Sequence, residues 1–163
     1  MKTAAKVTTP QQHNPHRYVL LRFDDRYLFV PQADVHAVEI IADAHLTRTT
    51  TGSVGWFGHG SESPLFCLDK ALMLLLEVPE TREYFVLFKA AKQPIGLTCD
   101  EVENINLQRE HLHRQKLPTV MKTTYSPISQ LVIYQSQLGC VCQGTDLVHY
   151  LTQLSKQFMQ SRR

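Results

Sequence analysis

Tyr18-Val-Leu-Leu-Arg-Phe23, Asp24-Asp25 and Arg26-Tyr-Leu-Phe-Val-Pro31 decide the fold. Two runs rich in β-branched and aromatic residues flank an acidic dipeptide, the pattern of an antiparallel hairpin closed by a tight turn. Leu20, Arg22 and Asp24 alternate against Val19, Leu21 and Phe23, so the first strand presents two faces. Downstream, further strands are expected from Val35 to Ile41, Pro64 to Leu68, Glu83 to Lys89, Ile95 to Cys99, Val102 to Leu107, Gln130 to Gln135 and Gly139 to Cys142. Most are short and bounded by Gly, Pro, Asp or Ser. The connections are mostly too short for the crossover helices of a parallel sheet, so the expectation is an all-β barrel or sandwich. The strand spacing suggests two similar halves.

Two segments carry a helical pattern. Asp69 can cap Lys70 to Leu76, stopped by Pro79, and Thr145 or Asp146 can cap a final helix from about residue 145 to Gln160. In the latter, Leu147, Leu151, Leu154 and Phe158 form one apolar stripe facing a core. Residues 1–17, rich in Thr, Gln, Pro and His, are expected to form a disordered tail ahead of a domain over residues 18–163. Residues 43–55 and 108–127 read as linkers.

Lys plus Arg number 17 against 15 Asp plus Glu, a balance of +2 that supplies no field for a phosphate backbone, so nucleic acid is not an expected partner. The longest apolar run, Ala71 to Leu76, is far below the ~20 residues that span a bilayer, and no membrane insertion is expected. The N-terminus has no apolar signal-peptide core, so Cys67, Cys99, Cys140 and Cys142 read as free thiols in the cytoplasm.

Chemistry was sought in motifs. Walker-type, dinucleotide-binding, zinc-protease and nucleophile-elbow patterns are all missing from the sequence. Gly55-Trp-Phe-Gly58-His-Gly60 lacks the lysine and the strand-to-helix context of a phosphate loop. Cys140 and Cys142 sit two apart on an expected strand and could join His149 as soft metal ligands, but no matching second pair exists. They are read as small core hydrophobes. The chain is therefore expected to be no enzyme and to need no cofactor.

The order of features resembles the CheW-like domain. Tyr27-Leu-Phe-Val-Pro31, Val35-His-Ala-Val38, Gly55-Trp-Phe-Gly-His-Gly60, Pro64-Leu-Phe-Cys-Leu-Asp69, and Ile95-Gly96 followed by Asp100-Glu-Val102 stand where that family has its Tyr-rich strand ending in Pro, its Val-x-Glu-Val strand, its Gly-x-x-Asn-Leu-Arg-Gly turn, its Pro-Val-x-Asp-Leu strand and its Gly-x-x-Val-Asp-x-Val segment. The resemblance covers about residues 18 to 151. It implies two small SH3-like five-stranded β-barrels packed together with a C-terminal helix. It also implies a non-catalytic adaptor coupling a methyl-accepting chemoreceptor to a CheA-type histidine kinase. The sequence departs from the family pattern where His59 replaces an Arg and Ala37 an acidic residue, with Glu39 nearby. Trp56 and Val30-Pro31-Gln32-Ala33 look more like the divergent type IV pilus subgroup than the flagellar adaptor.

The resemblance implies a receptor-binding groove between the barrels at Val35, Ala37, Val38, Trp56 and His59. Trp56 is either a binding hot spot or a plug of a barrel interior. Val35 and Val38, three apart, share a face of a strand only if a bulge or helical turn intervenes. Two other readings stand beside the adaptor: a standalone barrel binding a peptide or small ligand in the inter-barrel groove, and a thiol or metal enzyme built on Cys140, Cys142 and His149.

Overall fold

The computed structural model describes residues 16–107, 113–115 and 126–162. Residues 1–15 of the expected tail, and all of the expected 108–127 linker except 113–115 and 126–127, lie outside the described residues. The deciding hairpin is present: β1 (Arg17–Phe23) and β2 (Arg26–Pro31) pair antiparallel with Phe23 opposite Arg26, so Asp24 and Asp25 are the whole turn. Asp24 takes φ +56° there, a left-handed conformation in which aspartate is enriched.

In chain order there follow β3 (Val35–Ile40), β4 (His45–Leu46), β5 (Gly55–Phe57), β6 (Ser63–Leu68), β7 (Leu74–Leu75), β8 (Tyr84–Phe88), β9 (Ile95–Cys99), β10 (Glu101–Asn106), β11 (His113–Gln115), β12 (Ile128–Tyr134), β13 (Gln137–Cys142) and helix α1 (Gly144–Ser161). They form two sheets, ordered β10-β1-β2-β13-β12-β11 and β3-β8-β9-β6-β5-β4, with β7 paired to β6. The two rows match step for step. In each, an antiparallel hairpin (β1-β2 or β8-β9) joins a second hairpin (β12-β13 or β5-β6) through one parallel pairing, β2 with β13 or β9 with β6. Five strands make the body of each row, and a two- or three-residue strand, β4 or β11, adds an edge. The first barrel is assembled from both ends of the chain and the second is inserted between β2 and β10. This is the two-half, all-β architecture with a C-terminal helix.

Three apolar clusters follow from the alternation. Tyr18, Leu20, Phe29, Ile105, Val132 and Val141 fill barrel one; Leu65, Cys67, Phe85 and Leu87, with Ala37 and Phe57 against them, fill barrel two. The opposite faces of the same strands meet in the largest cluster, the seam between barrels, where Val19, Leu21, Phe23, Leu28 and Val30 meet Phe66, Leu68, Val86, Phe88, Leu97 and Cys99. Strand β1 is thus buried on both faces, which explains why its run is apolar almost without interruption. Leu147, Leu151 and Leu154 of α1 enter the seam as the expected stripe.

A charged staple locks the barrels. The side chain of Arg82 is wholly buried; its Nη1 meets Asp100 Oδ1 at 2.9 Å and Asp24 Oδ1 at 3.3 Å, its Nη2 donates to the Leu68 carbonyl at 2.8 Å, and its guanidinium lies 5.2 Å from the centre of the Phe23 ring. Asp100 also accepts from the Asp24 amide at 2.9 Å and pairs with Arg22 at 3.5 Å. Turn, junction and barrel two are therefore tied at one point. Desolvation is the largest single influence and opposes the charge on Arg82, but hydrogen bonds to Asp100 and Asp24 together with the surrounding charge more than offset it, so the guanidinium's pKa is raised.

Three expectations are corrected. Lys70 to Leu76 is not a helix: Asp69 Oδ1 accepts from the amides of Ala71 (2.8 Å) and Met73 (3.1 Å), but Leu72 at φ +63° reverses the chain, and Leu74 and Leu75 pair with β6 as β7. An apolar run this short fits either period, and pairing with an open strand decided it. Neither Thr145 nor Asp146 caps α1. The amide of Gly144 donates to Asp34 Oδ2 at 2.8 Å, a cap supplied from 110 residues away. Residues 43–55 are no mere linker, since they contain β4 and bury Ser53 and Val54.

Candidate functional site

The inter-barrel seam has two flanks. Strands β8, β9 and β6 of barrel two form its floor, with β3 beyond β8 on one side and β5 beyond β6 on the other. On the first flank, β3 pairs with β8 along its length and, among the described residues, with no other strand. Val35 stands opposite Phe88 and Ala37 opposite Leu87, so His36 is an extra residue and the strand bulges there. Val35, Val38 and Ile40 consequently all lie on the seam face, opposite Phe88, Val86 and Tyr84, and the condition set by their spacing is met. Val35 packs on the seam, whereas Val38 is 40% and Ile40 49% exposed. Ala37 points the other way, into the core of barrel two.

Trp56 belongs to the second flank. Its neighbours Gly55 and Phe57 face barrel two, where Phe57 packs against Phe85, so Trp56 faces outward, opposite Pro64 and on the side of Phe66. It is half-buried and stacks on His45 with ring centres 5.2 Å apart, neither plugging a barrel nor standing free. Gly55 is required here: at φ +153° it lets the carbonyl of His45 approach where a Cβ would collide. His59 sits exposed at the tip of the β5-β6 hairpin, just after Gly58 at φ +121°. The glycine cluster is therefore a strand and its turn, not a phosphate loop. Ala37 on β3 and Phe57 on β5 both pack against the core of barrel two, and Val38 and Trp56 project from the other faces of two strands that are not neighbours in the sheet. Of the five residues of the expected site, Val35, Ala37 and Val38 stand on β3, with Ala37 turned into the core, and Trp56 and His59 on the β5-β6 hairpin.

Helix α1 covers that second flank. Between them lies a cavity of about 380 Å³, lined by Trp56, Phe66 and Ile95 below and by Thr49, Thr51, Ser53, Thr152 and Ser155 at its walls, with Glu62 at the side. Ser155 donates to the Thr51 carbonyl at 2.6 Å, holding helix and loop together. Sequence reasoning passed over Ile40, Glu62 and the hydroxyl group altogether. Ile40 was legible as an apolar end of an expected strand, but the hydroxyls come from segments a hundred residues apart.

All four thiols are buried. Burial pushes each upward, Cys99 to about 12 and Cys142 further still. Cys140 and Cys142 share a face, as their spacing requires, and that face is the seam. Among the described residues no group of three or more His, Cys, Asp or Glu could hold a metal ion, and no helix is long and apolar enough to cross a membrane.

No family model matches the chain, and no curated protein matches it. Among solved structures, the crystal structure of the scaffolding protein TtCheW from Thermoanaerobacter tengcongensis matches with a TM-score of 0.61 at 17% identity, covering 79% of this chain and 89% of that one. The fold is CheW-like.

Proposed function

We propose that the protein is a non-catalytic adaptor of a chemosensory pathway, coupling a methyl-accepting chemoreceptor to a CheA-type histidine kinase in the cytoplasm, where buried reduced thiols are at home. The observation that carries the proposal is the open flank: two large apolar side chains, Val38 and Ile40, stay exposed on an edge strand beside the inter-barrel seam, which Arg82 ties together. Isolated exposed apolar residues need no explanation, but a contiguous pair next to a rigid seam suits a helical receptor tip that lays down an apolar stripe. Val35 supports the pair from below. Trp56 and His59 serve a separate surface in this reading, and the departures at Ala37 and His59 fit a divergent copy of the type IV pilus kind. The CheW-like fold supports the kinase as the second partner.

The test is a titration of the purified protein against a soluble receptor cytoplasmic hairpin and, separately, a kinase regulatory domain. Val38→Asp should weaken receptor binding by about tenfold or more, because a desolvated carboxylate would face the apolar stripe, and should leave kinase binding intact. Equal receptor affinity for both proteins sinks the proposed surface; failure of the wild type to bind either partner sinks the adaptor reading. Loss of twitching rather than swimming on deletion would place the output with pili.

A further inference from the structure

The cavity on the closed flank shows an unusual polarity once its hydrogen bonds are followed. Thr49 donates its hydroxyl proton to the Ser53 carbonyl at 2.9 Å, and Thr51 donates to Ser53 Oγ at 3.3 Å. With both threonine protons committed, Ser53 is the donor in its 3.0 Å contact with Thr49 Oγ1. Thr152 donates to the Val148 carbonyl at 2.8 Å and Ser155 to the Thr51 carbonyl at 2.6 Å. Every hydroxyl proton in the lining is therefore used inside the protein. Thr49 Oγ1 is also filled as an acceptor, by the Thr51 amide at 3.3 Å and Ser53 Oγ at 3.0 Å, and Thr51 Oγ1 accepts from the Ser53 amide at 3.4 Å, so lone pairs remain on Thr51, Ser53, Thr152 and Ser155.

The charge in the lining has the same sense. Glu62 contributes a carboxylate and, among the described residues, no Lys or Arg lines the cavity; Gln93 and Trp56 carry the side-chain N–H groups, both neutral. Pro64, Phe66, Ile95 and the Trp56 ring supply the apolar part. An occupant must thus bring donors and positive charge to one side and an apolar body to the other. A volume of about 380 Å³ lies within the range of small-molecule sites, about 300–1,000 Å³. An anion would face lone pairs and a carboxylate, with no cation among the described residues to receive it.

We propose that this cavity binds a small organic cation, a primary ammonium group on a compact aryl or alkyl body. The ammonium donates to Glu62 and to the free lone pairs of the Thr51, Ser53, Thr152 and Ser155 hydroxyls. The apolar body lies on Phe66 and Ile95, with the Trp56 ring available for a cation–π contact. Among the described residues its lining includes none of β3, and the site rests on no part of the adaptor reading. Because α1 and the loop over residues 47–54 form its walls, an occupant bridges the C-terminal helix to barrel two.

The experiment uses the full chain, isotopically labelled, titrated with 2-phenylethylammonium, its neutral N-acetyl derivative and 3-phenylpropionate at matched ionic strength. Saturable shifts at the Trp56 indole and at the amides of Thr51, Ser53, Thr152 and Ser155 are expected from the ammonium alone. Glu62→Gln, an exposed substitution, should weaken that binding by about fivefold, and the near-isosteric Thr152→Val, which removes one acceptor, by a similar factor. Equal binding of the acetylated or carboxylate probe, saturable shifts confined elsewhere, an absence of saturable shifts with the ammonium, or unchanged affinity in both variants overturns the proposal.

Discussion

The two flanks of the seam are built from the same kind of strand and end differently. At the β5 side, α1 lies across the opening, and Leu147, Leu151 and Leu154 continue the apolar cluster into the helix. At the β3 side nothing among the described residues plays that part, and Val38 and Ile40 remain 40% and 49% exposed. The equivalent edge of barrel one, β10, exposes Glu101, Glu103, Asn104 and Asn106, the charged and polar edge by which proteins discourage pairing with other chains. The difference teaches where stability and recognition part. The closed flank should tolerate substitution badly and bind small things; the open flank should tolerate it well and bind large ones.

The comparison breaks first at the staple that fixes both flanks. Arg82→Leu removes the guanidinium from Asp100 and the Leu68 carbonyl and leaves a buried carboxylate short of its partner. Such a loss typically costs about 3–5 kcal/mol, enough to unfold a marginal domain. Urea unfolding checks it. Asp24→Asn should cost far less, because that carboxylate is 41% exposed and screened. Next comes Leu151→Ala at the heart of the closed flank, where Leu151 is fully buried. A cavity there should cost about 2–5 kcal/mol by the same measurement.

The thiols test whether the seam stays dry between the flanks. Burial raises Cys99 from its ordinary value of 9.0 to about 12. Folded protein then holds a proton that the unfolded chain releases, so the thiol's contribution is fully present below pH 9 and is lost as pH rises from 9 toward 12. Cys67, Cys140 and Cys142 move in the same direction. Stability should be flat with respect to these thiols up to about pH 9 and then fall, by at most about 1.4 kcal/mol per pH unit for each thiol. Denaturant melts at a series of pH values read the slope, and Cys99→Ala should lessen it. An unchanged slope in that variant would mean that water reaches the seam.

How much of this was legible depends on whether the cause lay nearby in the chain. The β1-β2 hairpin announced itself through two β-rich runs and a two-residue turn, and Ile95–Cys99 was read to the residue. Strands β4, β5 and β7 are two or three residues long, too short to show any period. The Leu-rich stretch after Asp69 fits helix and strand alike, and only β6 decides between them. Val35 and Val38 were rightly conditional on a bulge, whose presence depends on the partner strand rather than on β3 itself. That Trp56 and Val38 stand on strands that are not neighbours in the sheet was illegible, because strand order, not spacing, sets it.

The helix cap was illegible for the same reason, and it sharpens the comparison at a smaller scale. Asp34 sits just before β3 and accepts from the amide of Gly144 at 2.8 Å. One residue thereby anchors the closing helix of one flank to the start of the other. Asp34→Ala removes a cap, which should cost about 1 kcal/mol, read as a lower midpoint in thermal unfolding. Asp34→Asn, which keeps an acceptor, should restore most of it.

The smallest expected effect discriminates best. Ile40→Ser removes an apolar side chain that is already half in water, so stability should move by no more than about 0.5 kcal/mol. Binding of a receptor hairpin, by contrast, should weaken severalfold, since the desolvation that water denies the free protein becomes available only in the complex. Parallel urea unfolding and binding titrations on Ile40→Ser and Leu151→Ala should give opposite patterns, one losing affinity with stability intact and the other losing stability first. If Ile40→Ser destabilises as Leu151→Ala does, β3 belongs to the folding core and the open flank is not a recognition surface. If it changes neither quantity, the exposed pair is ordinary surface and the receptor must dock elsewhere on the barrels.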